Sequence, residues 1–170
     1  MTDKIHEPRG TALSESDFEQ GNVLYLHDEM RAIYAWDTGE AIGQYLRSLK
    51  EGVILGAYCR NCRKTVVPPR TVCEWCYRPM HAFVPLQDTG TVNTFSVCYV
   101  TWDVKRIKEP EIPAVIEIDG ASPLHGIMHK LGDVNPDAVH IGMRVQAVWK
   151  EPSEREGAIT DILYFKPIEG

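Results

Sequence analysis

The sequence predicts a mainly β fold with N-terminal helices, a small metal-binding ribbon and a β-barrel, and three observations carry this prediction. Two Cys-x-x-Cys pairs, separated by ten residues, lie between positions 59 and 76. From Phe83 to Phe165, apolar and polar residues alternate in runs that are separated by turn formers, as in β-strands. Ahead of the first cysteine pair, residues 38 to 51 have the apolar spacing of an amphipathic helix.

Length and composition restrict the class of protein. The chain has 170 residues, of which 44% are hydrophobic, so we expect one or two small domains with a core. It contains no run of about eighteen apolar residues that would predict a membrane span. The segment from Met1 to His6 has no apolar stretch of the signal-peptide type, and we expect a cytoplasmic protein. A reducing cytoplasm favours metal binding over disulfides for the paired cysteines.

The paired cysteines predict a metal centre. Each Cys-x-x-Cys turn directs two thiolates to one point, and two such turns supply the sulfur ligands of a closed, tetrahedral structural zinc site. The predicted ligands are Cys59, Cys62, Cys73 and Cys76. A rubredoxin-like iron site would use the same ligands, and disulfides are the remaining alternative. Arg63 and Tyr77 stand where glycine often follows such a turn, and this departure counts more against iron than against zinc.

Positive charge is concentrated around the cysteine pairs. The chain carries a formal net charge of −6, whereas residues 47 to 78 hold seven basic and two acidic side chains. We call the basic side chains of this segment the basic island: Arg47, Lys50, Arg60, Arg63, Lys64, Arg70 and Arg78. Such an island in an acidic protein indicates a local anionic partner. The alternative is a set of solvated side chains on a small metal module.

Residues 38 to 51 show the clearest helix pattern. Asp37 is a suitable N-cap residue with Glu40 three positions later, and Gly52 is placed to end the helix. The apolar residues of this helix follow one stripe: Ile42, Tyr45, Leu46 and Leu49. Such a stripe is more often part of a core than a docking surface. Together with the apolar residues of the segment 23 to 36, however, it exceeds what a small ribbon can cover. We therefore expect an obligate or near-obligate subunit of a complex.

The predicted organisation has three parts. Residues 1–52 form an N-terminal arm and helices, with one helical turn that starts at Ser14 or Ser16. Residues 53–84 form the ribbon, and residues 85–170 form the barrel. The strands predicted for the barrel cover residues 91–102, 113–119, 122–130, 143–150 and 158–165. Five strands with irregular connections suit a partly open Greek-key barrel of the OB type.

The residues outside the cysteine pairs do not predict autonomous catalysis. A nucleophilic cysteine needs a nearby base, whereas Cys98 lies in a strand pattern without a histidine partner, so a small buried hydrophobe is favoured. His125 and His129 lack the spacing of a metalloprotease motif, and a satisfied or solvated pair is favoured for them. His81 could replace a metal ligand, but four cysteines already close the site.

Nucleic-acid binding is the main alternative function, because zinc ribbons and OB-folds both bind nucleic acids. Phe95, Tyr99 and Trp102 are aromatic residues that could stack on bases. However, residues 85 to 102 contain no Lys or Arg, and a groove for a single strand needs a cationic track. A purely structural subunit that touches no ligand is a third interpretation.

With both halves assigned, the sequence resembles the DUF35 family over about residues 40 to 166. The matching motifs are Cys59-x-x-Cys62, Val67-Pro68-Pro69-Arg70, Cys73-x-x-Cys76, Thr89-Gly90-Thr91-Val92, Phe95-Ser96-Val97, Pro113-Ala114-Val115-Ile116 and Ile141-Gly142-Met143-Arg144-Val145. Many zinc ribbons share the cysteine pairs, whereas the Pro-Pro-Arg between them and the later strand motifs are much more specific. The resemblance implies a rubredoxin-like zinc ribbon followed by an OB-fold β-barrel.

The resemblance also implies a function. Family members are similar to small, non-catalytic subunits that accompany thiolase-fold enzymes and help to bind or pass on acyl-CoA. We therefore expect a hetero-oligomer in which this chain carries structural zinc and the partner enzyme forms or cleaves C–C bonds of an acyl-CoA substrate. The CoA phosphates would meet the basic island, and the candidate contacts are Arg47, Lys50, Arg63, Lys64, Arg70 and Arg78.

Overall fold

The structure is a computed structural model that describes residues 12–23, 35–101 and 103–168. Most of the apolar segment 23 to 36, for which we expect a role in subunit contacts, lies outside these residues. The chain forms two compact units, Met1–Trp36 and Asp37–Gly170. Within the described ranges, no helix is both long and apolar enough to cross a membrane.

The described part of the first unit contains a short helix, α1, over Glu15–Glu19. Ser14 precedes it, and both the backbone N–H and the hydroxyl of Ser14 donate to Asp17 Oδ2, at 2.8 and 2.7 Å. These hydrogen bonds occupy polar groups at the start of the helix that have no partner within it. The predicted helical turn beginning at Ser14 is therefore confirmed.

The second unit is mostly β-structure, as predicted. Its helix and strands are α2 Gly39–Lys50, β1 Ile54–Cys59, β2 Lys64–Val66, β3 Ala82–Leu86, β4 Thr89–Phe95, β5 Cys98–Val100, β6 Arg106–Ile118, β7 Gly126–Leu131, β8 Arg144–Trp149 and β9 Ile162–Pro167. Short 3-10 helices lie at Pro136–Ala138, Pro152–Glu154 and Ile159–Asp161.

The first three strands form an antiparallel sheet in the order β2-β1-β3. Cys59 at the end of β1 lies opposite Lys64 at the start of β2, so the first cysteine pair occupies the turn of a hairpin. On the other edge of β1, Tyr58 pairs with Ala82, which follows the second cysteine pair. This pairing brings both cysteine pairs to the same end of the sheet.

The remaining strands form a closed five-stranded barrel with one attached strand. The order is β4-β8-β9-β7-β6, and β6 pairs back with β4 to complete the ring. The pairing of β7 with β9 is parallel and consists of one residue pair, Leu131 with Phe165. β5 pairs with the first part of β6. The predicted ribbon followed by an OB-fold barrel is confirmed.

The long first strand predicted over residues 91–102 is wrong. β4 ends at Phe95, and the N–H of Ser96 donates to Pro113 O at 3.0 Å. The chain then leaves the barrel ring as β5, and it returns as β6, which begins at Arg106 instead of at Pro113. The first residues of β6 are mostly exposed, so they do not show the alternating pattern that marks a strand with one buried face.

The start of the last predicted strand is also wrong, because residues 159–161 form a 3-10 helix. Asp161 determines this turn. Its carboxylate is fully buried and accepts backbone N–H groups from Glu156, Gly157 and Ala158 at 3.0, 2.7 and 3.0 Å. A buried carboxylate requires hydrogen-bond donors. The backbone before Asp161 therefore bends around the carboxylate to supply them.

The helix α2 packs against the barrel core. Tyr45 is 4% exposed and Leu49 is 0% exposed, and both belong to the cluster that contains Val92 and Phe165. Ile42 is 36% exposed and does not belong to this cluster. Because most of the apolar stripe packs into this core, its interpretation as core is confirmed, and the stripe adds little to an exposed subunit interface.

The start of α2 differs from the prediction by one residue, whereas its end agrees with the prediction. The N-cap residue is Thr38, not Asp37, and Asp37 Oδ1 accepts the N–H of Gly39 at 3.2 Å. Asp37 therefore still satisfies a donor of the first turn, from one position further out. At the other end, Gly52 has φ +76°, which glycine adopts without steric cost, and the predicted stop is confirmed.

Candidate metal centre

The four paired cysteines converge at one point of the ribbon. Their sulfur atoms all lie within 4.8 Å of one another. Cys59 Sγ is 3.7 Å from Cys76 Sγ, and Cys62 Sγ is 3.8 Å from Cys73 Sγ. A regular tetrahedron with zinc–sulfur bonds of about 2.3 Å has edges of about 3.8 Å, whereas a disulfide joins its sulfurs at about 2.05 Å. The cysteines are therefore positioned to bind a metal ion, and they are not disulfide-bonded.

The backbone of the two turns explains how the sulfurs converge. We call residues 59–63 the first knuckle and residues 73–77 the second knuckle. Their last residues, Arg63 and Tyr77, have φ +53° and +56°, in the left-handed region that favours glycine. The N–H of Tyr77 donates to Cys73 O at 2.9 Å, which closes the second turn. The two positions that lack glycine in the sequence thus adopt the backbone conformation expected of glycine there.

The electrostatics of the sulfur cluster favour a cation. Burial, together with the neighbouring sulfurs, raises the pKa of the Cys62 thiol to about 12. Burial also acts to raise the pKa of Cys73, but N–H groups of Trp75 and Cys76 outweigh it and lower that pKa to about 7. Four thiolates in contact repel one another, so they cannot all ionise unless a cation lies between them.

His81 is not directed at the sulfur cluster as an additional ligand. Its Nδ1 accepts the backbone N–H of Arg60 at 3.0 Å, and its backbone N–H donates to Tyr58 O at 2.9 Å. The imidazole therefore supports the backbone of the first knuckle. This role resembles that of outer hydrogen bonds that orient metal ligands.

The metal-binding ribbon is joined to the barrel by the loop between β6 and β7. We call this loop, residues 119–125, the joint loop. The N–H of Ser122 donates to Thr65 O at 2.9 Å, and Ser122 Oγ accepts the N–H of Thr65 at 2.9 Å. The rings of His125 and Trp75 meet edge to face at a centroid distance of 5.3 Å. The barrel thus contacts both β2 and the second knuckle.

Part of the basic island lies around two neighbouring grooves. Arg47 and Lys50, from the last turns of α2, line a groove of about 480 Å³. Arg70 lines a groove of about 430 Å³ beside the ribbon. Phe83 on β3 is half-buried and lines both grooves. The three basic residues thus line two grooves that have Phe83 in common, and Glu40 and Glu51 line these grooves as well.

The other members of the basic island are placed differently. Lys64 Nζ lies 5.8 Å from the centre of the Trp75 ring, within the range of a cation–π contact. Arg63 is exposed on the first knuckle, and Arg78 is exposed directly after the second knuckle. Arg70 also forms an ion pair with Glu74. The six candidate phosphate contacts therefore do not form one cluster.

Sequence patterns did not identify two residues that organise this region. Ser122 carries no motif, and its bonds to Thr65 depend on a pairing 57 positions apart in the chain. Phe83 was recognised only as the start of the β-rich half, because its position between two grooves depends on β3 pairing with β1. Trp75, by contrast, lies between Cys73 and Cys76 in the sequence, and this position alone indicates that its side chain lies close to the metal centre.

The remaining candidate residues have separate environments. Cys98 is half-buried, so its interpretation as a buried hydrophobe is wrong: the strand that carries it leaves the barrel. His129 is satisfied, with Nδ1 accepting the N–H of Lys130 at 2.9 Å and Nε2 at 3.3 Å from Ile159 O. His125 precedes β7 and faces the ribbon, so the two histidines do not form a pair.

Comparisons with known proteins agree with this architecture. Residues 47–79 match the family model of the ChsH2 rubredoxin-like zinc ribbon domain. Residues 83–150 match the model of the ChsH2 C-terminal OB-fold domain. Among solved structures, a DUF35-family protein of unknown function from Sulfolobus solfataricus has a TM-score of 0.61 at 20% identity, covering 77% of this chain and 87% of that one. The structure described as Ltp2-ChsH2(DUF35) aldolase has a TM-score of 0.58 at 20% identity, covering 78% and 98%.

Two curated proteins are similar to this chain in amino-acid sequence. A DUF35 domain-containing scaffold protein of Methanocaldococcus jannaschii is 33% identical over 151 residues, which cover 86% of this chain and 98% of that protein. A second protein of the same description, from Methanothermobacter thermautotrophicus, is 24% identical over 117 residues, covering 67% and 86%. The solved structures share the fold, and the first of these relatives matches this chain over nearly its own full length. The chain therefore belongs to the DUF35 family.

Proposed function

We propose that this chain is a non-catalytic, zinc-bearing subunit of a thiolase-fold enzyme complex, in which it assists the binding or transfer of acyl-CoA. Family membership supports the subunit role, because the curated relatives are described as scaffold proteins. The similarity in fold to the Ltp2-ChsH2(DUF35) aldolase supports an enzyme as partner. The observation that carries the acyl-CoA role is the pair of grooves that meet at Phe83 among Arg47, Lys50 and Arg70.

The metal in this proposal is structural zinc. The sulfur–sulfur distances fit the edges of a zinc–thiolate tetrahedron, and four protein ligands leave no position for substrate. Zinc would hold the two knuckles together, and with them the segment that carries Arg70 at its groove. Iron would fit the same four sulfurs, and metal analysis separates the two.

The carbon–carbon chemistry is assigned to the partner. Cys98 is the cysteine outside the metal centre, and its Sγ lies 3.6 Å from Ser96 Oγ. A serine hydroxyl is not a base that can activate a thiol. This environment supports a partner that supplies the acyl-carrying nucleophile.

The grooves beside Phe83 offer a physical basis for CoA binding. Their volumes, about 480 and 430 Å³, lie within the range of about 300 to 1,000 Å³ that is usual for small-molecule sites. CoA combines phosphates with an adenine ring. Arg47 and Lys50 would bind phosphate oxygens, and the Phe83 ring would support the base. By holding the nucleotide end, the chain would position the thioester for the partner.

The test uses the complex purified from its native cell by means of this chain. We expect a thiolase-fold enzyme to co-purify, and a double Arg47→Ala, Lys50→Ala variant to assemble with it normally. The variant should bind the CoA ester about tenfold more weakly for each phosphate interaction that the substitutions remove. The matched control is Lys108→Ala with Lys166→Ala, which also removes two exposed positive charges but lies on β6 and β9.

Arg70→Ala is a less direct variant, because Arg70 pairs with Glu74 in the second knuckle and its removal would also disturb the metal centre. If the Arg47 and Lys50 variant keeps full affinity, the CoA contact at these grooves is refuted. If the partner is fully active without this chain, the supporting role is refuted as well. Co-purification of nucleic-acid-binding proteins or ribosomes would instead favour the nucleic-acid alternative.

A further inference from the structure

The barrel opens into a groove between β7 and β9. These two strands pair at Leu131 and Phe165, where the N–H of Gly132 also donates to Phe165 O at 2.9 Å. From this bridge the parallel strands diverge towards Met128 and Ile162. The space between them forms a groove of about 500 Å³, which we call the β7–β9 groove.

The walls of the β7–β9 groove are mostly apolar. Met128, Leu163 and Ile159 line it and are 73%, 40% and 39% exposed, although each is a large hydrophobic side chain. The remaining lining residues are His129, Lys130, Lys150, Thr160 and Ile162. Exposed apolar side chains that gather in a groove of this size are typical of a binding site for an apolar group.

His129 closes the floor of the groove without adding charge. Because its Nδ1 accepts the N–H of Lys130 at 2.9 Å, the proton of the neutral ring is on Nε2, which donates to Ile159 O at 3.3 Å. Burial lowers the pKa of His129, so the neutral form is favoured. The ring thus satisfies the N–H of Lys130 on β7 and the carbonyl of Ile159 in the 3-10 helix before β9. Because these two backbone groups are already hydrogen-bonded, they cannot pair with an added peptide strand. This favours a ligand that binds by apolar contact with the walls of the groove.

The charge of the lining residues is positive. Lys130 and Lys150 are the ionised side chains among them, and no carboxylate is among the residues that line the groove. Asp161 lies near, with Oδ1 at 3.9 Å from Lys150 Nζ, but it is fully buried and accepts three backbone N–H groups. Lys150 is thus partly neutralised by Asp161, whereas Lys130 is exposed and faces no carboxylate among the lining residues. An apolar groove with ammonium groups at its edge complements a molecule with a hydrocarbon body and one negative charge.

We propose that the β7–β9 groove binds a medium-chain aliphatic carboxylate, whose hydrocarbon chain lies against Met128 and Leu163 and whose carboxylate pairs with a lysine of the edge. This site is separate from the grooves beside Phe83, since the two share no lining residue. It does not depend on the proposed acyl-CoA function.

The test is a titration of the full chain with octanoate, followed by amide chemical shifts in two-dimensional NMR. We expect saturable shifts at residues 128–130 and 159–163 and none at Phe83. The neutral alcohol 1-octanol should shift the same amides but bind about threefold to fivefold more weakly, since exposed ion pairs contribute modestly. Octanoyl-CoA serves as a third probe, because its acyl chain has no carboxylate.

Variants separate the two parts of the site. Met128→Ser should weaken octanoate binding about tenfold, while Ile141→Ser, which removes an apolar side chain that is 68% exposed elsewhere, should not change it. Lys130→Gln with Lys150→Gln should abolish the preference for octanoate over 1-octanol, while Lys166→Gln on β9 should keep it.

Three results would overturn the proposal. The first is an octanoate titration without saturable shifts in the groove. The second is equal binding by wild type and Met128→Ser. The third is occupation of the groove by octanoyl-CoA but not by octanoate, which would assign it to the chain of a thioester instead of a free carboxylate.

Discussion

His125 Nε2 lies 3.5 Å from Glu74 Oε1, and this contact joins the barrel to the turn that carries two of the four metal-binding cysteines. Glu74 also pairs with Arg70, and the His125 ring meets the Trp75 ring edge to face. Burial lowers the pKa of His125, although the charge of Glu74 acts in the opposite direction. The joint loop therefore packs on a surface that exists only when the second knuckle is folded. The same side chains thus belong to the metal-binding turn and to its contact with the barrel.

The first prediction concerns this contact. His125→Ala should loosen the joint loop and lower the free energy of unfolding by about 1 kcal/mol, the order expected for the loss of one edge-to-face ring contact. Hydrogen exchange of residues 119–125 and 64–66 should become faster, while zinc content should not change. His140→Ala is the control, because His140 is exposed and contacts Ala138 O in its own loop. Unchanged exchange in the His125 variant would show that Ser122 alone holds the joint.

The second prediction concerns the metal. Protein purified without added metal should contain about one zinc per chain by elemental analysis, because four thiolates close a tetrahedral site. Cys73→Ser should lose most of this zinc, since it removes one ligand from the second knuckle. Cys98→Ser should retain it, because Cys98 lies in β5, outside the metal centre. Two disulfides and no metal in a thiol titration would contradict the assignment, and iron in equal amount would identify the metal as iron instead of zinc.

The third prediction concerns pH. Burial lowers the pKa of His129, against the effect of its backbone hydrogen bonds, so the unfolded chain binds a proton more readily than the folded chain. The free energy of unfolding should therefore fall as pH drops below about 6.5, the ordinary pKa of histidine. His129→Gln keeps a donor and an acceptor but cannot titrate.

Urea denaturation between about pH 7.5 and 5.5 measures the effect, in a range where carboxylates contribute little. The slope of stability against pH should be smaller in His129→Gln than in wild type. Identical slopes for wild type and His129→Gln would show that His129 does not contribute to this pH dependence.

The fourth prediction concerns the shared core. Leu49 on α2 is fully buried in the cluster that includes Ile116 and Phe165 of the barrel. Leu49→Ala should lower the free energy of unfolding by about 2 to 5 kcal/mol, the range for a buried leucine that leaves a cavity. Leu163→Ala is the comparison, since Leu163 is 40% exposed and should cost much less.

Two probes show whether the ribbon and the barrel unfold together. Circular dichroism reports the strands of the barrel, and the release of metal reports the ribbon. The shared cluster predicts coincident transitions for wild type and a common shift in Leu49→Ala. A metal-release transition that stays in place while the barrel signal shifts would show that the ribbon is independent of this core.

The metal-binding residues could be predicted from the sequence because their geometry is local. A Cys-x-x-Cys turn sets the distance between two thiolates, and the cysteine spacing alone therefore predicted which four residues would converge. The helix α2 and the strands with one buried face were also predictable, since burial of one face imposes a period on the sequence. The hairpin of β5 and the start of β6 showed no such period, because their residues are mostly exposed.

Contacts between distant parts of the chain were decided by the tertiary structure alone. Thr65 and Ser122 meet because the loop after β6 folds onto β2, and neither residue carries a pattern that records this. The basic residues all lie between positions 47 and 78, yet tertiary packing places Arg47 and Arg70 in grooves that Phe83 also lines and Lys64 over Trp75. Local sequence determined which side chains are available for binding. Which of them share a surface depends on long-range pairing, which has no local period in the sequence.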